Sequence, residues 1–461
     1  MALQFNRDLV RKYDRPGPRY TSYPTAPHFR DDFGAEDFRA LVAAGNDDPI
    51  PRPLSLYLHV PFCTSPCFYC ACHRIITRDS SRADAYLARL KREIALQARL
   101  VDSDRQVTQV HFGGGTPNFL SVDQLAGVLD VIASRFRLAA PDKREIAIEV
   151  DPRHVSPKDL DRLASEGFNR LSFGIQDFDP AVQQAVNRIQ PAGETLALIE
   201  AAHRLGFHST NVDLIYGLPR QNLPGFHRTL EQVCSVRPQR IALYGYAHMP
   251  ERFKAQRHIV SEELPSPQQR LELFQHAVEF LDQAGYLYIG MDHFALPEDP
   301  LAKAQREGTL IRNFQGYATG ANTDILAMGV TGISQLGNGF AQNTTDLETY
   351  YRCIDAGTLA INRGLMLDDD DRLRADLIQS VMCHGRIRFA ELEARHHIRF
   401  REYFRPELEE LAELENDGLV EMLRDEIRVT GQGRLLLRHI AMVFDAHHRS
   451  RMEQARYSRI I

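Results

Sequence analysis

Residues 62–72 read FCTSPCFYCAC, and this stretch holds four of the seven cysteines in the chain. Those four are Cys63, Cys67, Cys70 and Cys72. The other three, Cys234, Cys353 and Cys383, stand singly, and we expect them at buried apolar positions. The density of thiols in one short loop therefore points to a metal or redox site.

The spacing within the loop, Cys-x3-Cys-x2-Cys-x-Cys, favours an iron–sulfur cluster. Zinc sites usually split their ligands into two separated pairs, whereas a cubane cluster takes thiolates from one compact loop. If only Cys63, Cys67 and Cys70 bind iron, one iron is left open and can bind a cofactor or substrate directly. A zinc site and free thiols remain the alternatives from spacing alone.

The composition describes an ordinary globular chain of more than one compact unit. It has 461 residues, 43% of them hydrophobic and 25% charged, with a net charge of −6. A single core stops growing at about 250–300 residues, so we expect two or three units. The charge gives no reason to expect nucleic acid or an anionic membrane as the main partner. No secretory signal or apolar run of about 18 residues is present, which predicts a cytoplasmic protein with reduced thiols.

Short apolar runs alternate with helical patterns through the first half of the chain, which predicts parallel βα units. The predicted strands cover 54–60, 106–112, 145–150, 170–175, 209–218 and 240–247. The predicted helices between them cover 83–100, 121–136, 156–168, 192–207 and 223–236. Ser121 with Gln124 fits a capping box, and Ser156 before Pro157 fits a helix start. Six such units indicate an α/β fold built on a partial parallel (β/α)6-type barrel.

The chain ends are expected to differ from this central part. Residues 1–53 are polar and rich in proline, and we expect an extended arm over the active site. The catalytic barrel and its extension would cover 54–360. Beyond that, 361–461 predicts three helices and a hairpin, a smaller and mainly helical winged-helix-like domain. The third helix is mostly acidic, so we expect a structural domain there and no DNA binding.

Polar residues stand at almost every predicted strand end, where βα barrels place their chemistry. The second strand ends in GGGTP (113–117), whose glycines would let the backbone approach a ligand and present N–H groups to it. The polar residues at the later strand ends are Glu149, Asp151, Gln176, Asp177, Asp213 and His248. The pattern predicts one ligand-filled mouth for a small molecule.

Two motifs together resemble the signature of the radical S-adenosylmethionine (SAM) superfamily: the cysteine loop after the first strand and GGGTP after the second. Further segments are similar to the bacterial oxygen-independent coproporphyrinogen III oxidases within that superfamily. They are PGPRYTSYPTA (16–26), HVPFC (59–63), EVDPR (149–153), NRLSFGIQDF (169–178), NVDLIYGLP (211–219), YAHMP (246–250), IGMDHFA (289–295), RNFQGYAT (312–319) and YSRII (457–461). The likeness runs from about residue 7 to 461.

This resemblance implies a set of cofactors and site residues. Cys63, Cys67 and Cys70 would hold a [4Fe–4S] cluster, with Cys72 near it but not bound to iron. A first SAM would contact Tyr57, Gly114, Glu149 and Ile333. A second SAM would contact Tyr69, Gly115, Thr116, Gln176, Arg188, Asp213 and Ala247. Catalytic roles fall to Tyr57, Cys72 and Gln315. The family often has Phe where this chain has Tyr69, and an aromatic ring is kept.

The family's reaction converts two propionate side chains of coproporphyrinogen III to vinyl groups, giving protoporphyrinogen IX for haem biosynthesis. A 5′-deoxyadenosyl radical takes the hydrogen, because cutting an unactivated C–H bond is beyond acid–base side chains. Arg19 and Arg312 are candidates for the substrate's carboxylates. The resemblance further implies a monomer that receives electrons from a flavodoxin-type reductant.

Three other functions fit the same fold. A haem-delivery protein usually has Phe where this chain has Cys72 and lacks a full RNFQGY segment. This chain has the cysteine and the full segment, which favours the oxidase family. A haem-opening radical methyltransferase would convert haem. A zinc-stabilised structural barrel would contain no iron.

Overall fold

The computed structural model describes residues 3–320 and 322–450, which form two compact units. Unit 1 comprises the described residues of 1–28, 266–321 and 367–461, and unit 2 those of 29–265 and 322–366. The division into 1–53, 54–360 and 361–461 stays a prediction. The YSRII segment at 457–461 lies outside the described residues.

The strands, in chain order, are β1 (Leu54–Val60), β2 (Phe62–Cys63), β3 (Ile75–Ile76), β4 (Gln106–Gly114), β5 (Arg137–Leu138), β6 (Glu145–Val150), β7 (Arg170–Gln176), β8 (Ser209–Tyr216), β9 (Arg240–Gly245), β10 (Leu287–Gly290), β11 (His293–Ala295), β12 (Ile311–Asn313), β13 (Gly316–Ala318), β14 (Asp324–Met328), β15 (Ile333–Leu336), β16 (Gly339–Asn343), β17 (Ile361–Met366), β18 (Arg386–Arg388), β19 (Val420–Met422) and β20 (Glu426–Val429).

The helices are α1 (Arg7–Tyr13), α2 (Ala35–Asn46), α3 (Ser81–Ala98), α4 (Val122–Arg135), α5 (Pro157–Ser165), α6 (Pro180–Ala185), α7 (Ala192–Arg204), α8 (Leu223–Ser235), α9 (Pro267–Gln283), α10 (Pro300–Glu307), α11 (Leu347–Asp355), α12 (Asp369–His384), α13 (Phe389–His396), α14 (Phe400–Tyr403), α15 (Arg405–Asn416), α16 (Leu437–Met442) and α17 (Ala446–Ser450).

Unit 2 is built on one large sheet with the strand order β9-β8-β7-β6-β4-β1-β14-β15-β16-β17. The pairs from β9 through β1 to β14 are all parallel, and the pairs from β14 to β17 are antiparallel. Helices α3 to α8 lie in the crossovers between the parallel strands. The parallel βα arrangement expected from the sequence is therefore confirmed. It brings the carboxyl ends of seven neighbouring strands to one edge of the sheet.

The parallel strands are apolar because both faces of such a sheet are covered. Six of the seven residues of β1, LSLYLHV, are buried, and Leu54, Leu56, Leu58 and Val60 have no exposed surface. The helix starts behave as predicted: Ser121 and Gln124 form a reciprocal capping box, and Ser156 caps α5 with Pro157 in its first turn. These local signals fix where each helix begins and thus where each strand-end loop lies.

Unit 1 contains the helices and hairpin expected near the C-terminus. Helices α12, α13 and α15 cover the three predicted segments, and β19 and β20 form the hairpin, with β18 pairing against β20. The core of this part is aromatic, since Phe389 stacks on Phe400 at 4.2 Å between ring centroids and Phe400 packs on Phe404.

The first fifty residues contain more structure than the expected arm. Helix α1 begins after Asn6, whose side chain accepts hydrogen bonds from two backbone N–H groups of its first turn. Helix α2 buries Phe38, Leu41 and Val42, a helical spacing that the proline-rich surroundings hid from the sequence analysis. The segment 16–25 itself contains no helix.

Among the described residues, none of the helices is long and apolar enough to cross a membrane.

Candidate active site

A cavity of about 190 Å³ in unit 2 lies at the carboxyl ends of the parallel strands. It is formed by the cysteine loop after β1 and by the ends of β4, β6, β7 and β8. Twelve residues proposed from the sequence line it: Cys63, Cys67, Tyr69, Cys70, Cys72, Gly114, Gly115, Thr116, Glu149, Gln176, Arg188 and Asp213. Residues from five separate strand-end segments thus meet at one place.

Two other proposed residues of unit 2 contact neighbours of the cavity. The Tyr57 ring stacks on that of His111 at 5.8 Å, and its hydroxyl lies 3.3 Å from Nδ1 of His59. The carbonyl of Ala247 accepts a hydrogen bond from the Gln256 amide, which also bonds the Tyr69 carbonyl at 3.0 Å.

Ile333 and Gln315 are not among the residues that line this cavity. Ile333 opens β15 in unit 2 and pairs with Gln342. Gln315 lies in unit 1, in the turn between β12 and β13, where its backbone N–H donates to the Asn313 side chain at 2.9 Å. Its Nε2 is buried with no hydrogen-bond partner among the described residues.

The cysteine loop is closed by its own short elements. Strand β2 pairs in parallel with β3 after the loop has turned back. The Arg74 guanidinium donates to the carbonyl oxygens of Cys67 at 3.3 Å, Cys70 at 3.0 Å and Cys72 at 3.3 Å. Because one planar fork binds three loop carbonyls, Arg74 fixes the positions from which the thiols project.

Each of the three proposed iron ligands receives a hydrogen-bond donor at sulfur. The Thr116 hydroxyl lies 3.2 Å from Sγ of Cys63, and the Cys72 backbone N–H lies 3.4 Å from Sγ of Cys70. Sγ of Cys67 lies 3.5 Å from Nη1 of Arg188. Burial raises the pKa of Cys63 to about 11, whereas contact with Cys72 lowers the pKa of Cys70.

The glycines at the end of β4 serve the packing of the chain itself. A Cβ on Gly115 would lie 2.9 Å from backbone atoms of Pro61 and Phe62, closer than real contacts allow. The backbone N–H groups of Gly114, Gly115 and Thr116 donate to Glu149, Val60 and Phe62 respectively. The expectation that the N–H is presented to a ligand is therefore wrong for Gly115, whose N–H already donates to a backbone carbonyl, and stays a prediction for Gly114, whose N–H is held by the carboxylate of Glu149.

Two carboxylates of the cavity have opposite protonation behaviour. Burial acts against the charge of Glu149, but hydrogen bonds from His111 and the Gly114 N–H outweigh it and lower its pKa. Burial and the charge of Glu149 raise the pKa of Asp213 to about 7. Asp213 accepts from Asn211 at 2.9 Å and from Ser172 at 3.4 Å, too little to offset burial.

Arg188 is buried beside the cysteine loop with most of its fork engaged. Nη1 donates to Asp151 at 3.1 Å, and Nη2 donates to the Gly174 carbonyl at 2.7 Å. Its Nε is buried with no hydrogen-bond partner among the described residues. One strong donor therefore remains for an anionic ligand group.

The surroundings of the thiols fit an iron–sulfur cluster with SAM. Within the described part of the chain, no three His, Cys, Asp or Glu side chains are grouped to hold a metal ion. A cluster is larger than an ion, and its thiolates need donors at sulfur and nearby positive charge. The loop supplies both, and the orphaned Nε of Arg188 and the carboxylate of Glu149 suit the charged groups of SAM.

Several residues here were missed or given another role. Asp177 was expected at the mouth but is 2% exposed and accepts from Thr229 and Gln221, so its role is structural. Sequence reasoning missed Arg74 and His111. A polar His111 in the alternating run QVTQVHF was a usable signal, whereas nothing local marks Arg74.

The two candidates for substrate carboxylates lie in unit 1. The Arg19 guanidinium forms an ion pair with Asp292. Arg312 is 5% exposed, donates from Nε to the Arg19 carbonyl at 3.2 Å and lies over the Tyr317 ring at 4.8 Å. Its Nη1 is buried with no hydrogen-bond partner among the described residues.

The chain is similar to known proteins over almost its whole length. Residues 57–233 match the family model described as the Radical SAM superfamily, and residues 367–436 match the HemN C-terminal domain. The chain is similar to the oxygen-independent coproporphyrinogen III oxidase of Pseudomonas aeruginosa, with 46% identity over 460 residues, covering 100% of this chain and 99% of the relative. For the Escherichia coli protein of the same name the identity is 47% over 459 residues, with the same coverage.

A solved structure matches over almost the whole chain. It is coproporphyrinogen III oxidase (HemN) from Escherichia coli, described as a radical SAM enzyme. The TM-score is 0.92 at 45% identity, and the match covers 97% of this chain and 100% of that one.

Proposed function

The chain belongs to the oxygen-independent coproporphyrinogen III oxidases of the radical SAM superfamily, and from this we propose that it is the corresponding oxidoreductase. It would decarboxylate two propionate side chains of coproporphyrinogen III to vinyl groups and so form protoporphyrinogen IX. One observation carries the proposal: three cysteines of one loop share a cavity with Glu149 and with the glycines at the end of β4.

We propose that Cys63, Cys67 and Cys70 hold a [4Fe–4S] cluster in this cavity. When bound, the cluster and SAM supply a 5′-deoxyadenosyl radical that removes hydrogen from the propionate. The protein's own task is to fix positions and exclude water. Arg74 holds the loop, and Glu149, kept charged by His111, offers an acceptor to the amino group or ribose of the first SAM.

The remaining contacts of the first SAM are assigned by family likeness. They are Tyr57, Gly114 and Ile333. Tyr57 is held between His59 and His111, so its ring position is fixed. By the same likeness Cys72 would stay off the iron, and its backbone N–H donates to Sγ of Cys70 at 3.4 Å.

We propose that a second SAM would bind in the same cavity. Its contacts would be Tyr69, Gly115, Thr116, Gln176, Arg188, Asp213 and Ala247. Support comes from the orphaned Nε of Arg188, which suits the carboxylate of a methionine group. The Gln256 amide donates hydrogen bonds to the carbonyls of both Tyr69 and Ala247, which would hold these two contacts at a fixed separation.

Further proposals concern the setting of the reaction. Gln315 is proposed near the reacting centre, with its unpartnered amide available to a substrate.

The electron donor would be a flavodoxin-type protein, and the enzyme would act as a monomer. A cytoplasmic location is proposed because the exposed thiol of Cys72 needs a reducing compartment.

Arg312 is proposed to bind a carboxylate of the porphyrinogen through its unpartnered Nη1. Replacing Arg312 by Lys keeps the charge but loses the fork, and we expect KM for coproporphyrinogen III to rise about 10-fold or more, as for a lost hydrogen bond to a charged group. Iron content and 5′-deoxyadenosine formation without substrate should not change. An unchanged KM would remove Arg312 from the substrate site.

The deciding experiment is anaerobic. Protein reconstituted with iron and sulfide is reduced and mixed with SAM and coproporphyrinogen III, and 5′-deoxyadenosine and protoporphyrinogen IX are measured in the same tube. We expect both products. 5′-Deoxyadenosine without the vinyl product would mean another substrate, and conversion of haem would indicate the haem-opening methyltransferase. Tight haem binding without either product would indicate haem delivery.

A further inference from the structure

Cys67 is the one proposed iron ligand whose recorded sulfur contacts are charged. Besides Nη1 of Arg188 at 3.5 Å, Nη2 of Arg153 lies 3.9 Å from its sulfur. The donors recorded at Cys63 and Cys70 are a hydroxyl and a backbone N–H. Two guanidinium groups therefore contact the Cys67 sulfur directly, whereas Arg74 acts on Cys63 and Cys70 only through its charge.

Both guanidinium groups are held by a single carboxylate. Asp151 accepts from Nη2 and Nε of Arg153 at 2.6 and 2.9 Å and from Nη1 of Arg188 at 3.1 Å. Its backbone is clamped in turn, since the Asn118 side chain bonds both its N–H and its carbonyl. Neither cation can therefore move away from the sulfur without breaking these hydrogen bonds.

The charges in this group do not cancel until a thiolate is included. Arg153 and Arg188 carry two positive charges and Asp151 one negative charge, and both cations lower the pKa of that carboxyl far below its usual range. Asp151 is 7% exposed and Arg188 is 6% exposed. The Arg153 side chain is 17% exposed, so water screens the uncancelled positive charge only in part, and the charge still acts on the sulfur.

We propose that Arg153, with Arg188 and held by Asp151, sets the reduction potential of the cluster. The inference rests on the proposed [4Fe–4S] cluster. One electron passes from the reductant to the cluster, no proton moves, and the net charge of the cluster falls by one. A fixed positive charge beside a ligand sulfur favours the reduced form, and a negative charge disfavours it. In this scheme the charge of Arg153 acts on the cluster through the sulfur of Cys67, and this role is separate from any contact with SAM.

The competing explanation is that the ion pairs only hold the turn Pro152–His154 in place. The two explanations predict different signs for the change in reduction potential when each partner is removed. If the residues serve the turn alone, removing either partner loosens the same structure and has the same consequence. If they act electrostatically, removing Arg153 makes the cluster harder to reduce, whereas removing the charge of Asp151 makes it easier to reduce.

The test uses the full-length, reconstituted protein in the variants Arg153→Gln, Arg153→Lys and Asp151→Asn. Iron and sulfide per chain are measured first, and the midpoint potential is then found by dithionite titration followed by electron paramagnetic resonance, without SAM. We expect Arg153→Gln to lower the equilibrium constant for reduction about tenfold, which is about 59 mV for a one-electron couple. Arg153→Lys should restore most of it, and Asp151→Asn should shift the potential upward.

Arg162→Gln is the matched control. Arg162 lies on α5 and pairs with exposed Asp123, so its loss changes the net charge equally and should leave the potential unchanged. Equal potentials in all variants with full clusters, or shifts of the same sign in Arg153→Gln and Asp151→Asn, would overturn the inference. Wild-type protein that binds no cluster would instead overturn the proposed function. If Arg153→Gln fails to fold, Asp151→Asn alone decides the sign.

Discussion

At the scale of single residues, Asp213 is the cavity carboxylate most sensitive to pH. Its pKa is raised from 3.8 to about 7 by burial and by the charge of Glu149. The folded state holds this proton more tightly than the unfolded chain does. The stability it contributes is therefore complete below about pH 4 and is lost as the pH rises through 7.

The variant Asp213→Asn cannot titrate, and this gives a prediction for protein without cofactors. Between pH 4.5 and 8 the free energy of unfolding of the wild type should fall relative to that of the variant, by about 1–4 kcal/mol. Urea unfolding at several pH values measures the difference. Parallel curves for the two proteins would show that Asp213 is ionised throughout. Glu149→Gln should shrink the effect, because it removes one cause of the raised pKa.

Cys67 and Cys383 provide a matched pair of single-atom changes. Cys67→Ser should abolish both cluster and activity, because a neutral hydroxyl replaces a thiolate ligand. Cys383 is buried on α12 in unit 1, where burial raises its pKa to about 12. It is not one of the proposed iron ligands, so Cys383→Ser should keep a full cluster. Iron analysis and product assay check both variants. Full iron in Cys67→Ser would show that the ligand set is wrong.

At the scale of elements, the end of β4 joins the glycine segment to the cysteine loop. Gly115 is packed against the backbone that enters the loop. An added methyl group would therefore clash with main-chain atoms, which cannot move aside as a flexible side chain can. Gly115→Ala should destabilise the protein by about 1–3 kcal/mol and lower the iron content by displacing the loop. Thermal unfolding and iron analysis give both readouts.

Gly193 is the control for that substitution. It lies in the first turn of α7, and an added Cβ there would meet nothing within 4 Å. Gly193→Ala should leave iron content unchanged and stabilise the protein by about 0.4–1 kcal/mol. If Gly115→Ala behaved like Gly193→Ala, the close approach of β4 to the loop would not govern cluster assembly.

The sequence predicted the elements that carry strong local signals. β1 and β6 match their predicted bounds, and α4 and α5 begin at their predicted caps. Helix α2 was missed because nearby prolines outweighed its apolar spacing. The antiparallel strands from β15 to β17 were missed because they are short and give little periodicity.

At the scale of the whole molecule, the sequence located which strand ends supply the site but not how they interact. Glu149 and Asp213 line the cavity as their strand-end positions predicted, since parallel strands bring such positions together, whereas Arg188 follows α6 and was proposed only from the family resemblance. The pairing of Arg153 with Cys67 joins residues 86 positions apart and leaves no local trace. Arg74 lies only two to seven positions from the carbonyls that it binds, but its role depends on the three-dimensional path of the loop.

The division of the chain into two units yields the last prediction. All proposed cluster ligands lie in unit 2, and a ligand that binds only the folded state stabilises what must be folded to bind it. Removal of iron by a chelator should therefore lower the protection of backbone amides against hydrogen exchange in β1 and β4, by about 2–4 kcal/mol. Amides of α12 and α15 in unit 1 should change much less. Hydrogen-exchange mass spectrometry of holo and chelated protein resolves these peptides, and equal losses in both units would show that the cluster stabilises the entire chain as one cooperative body.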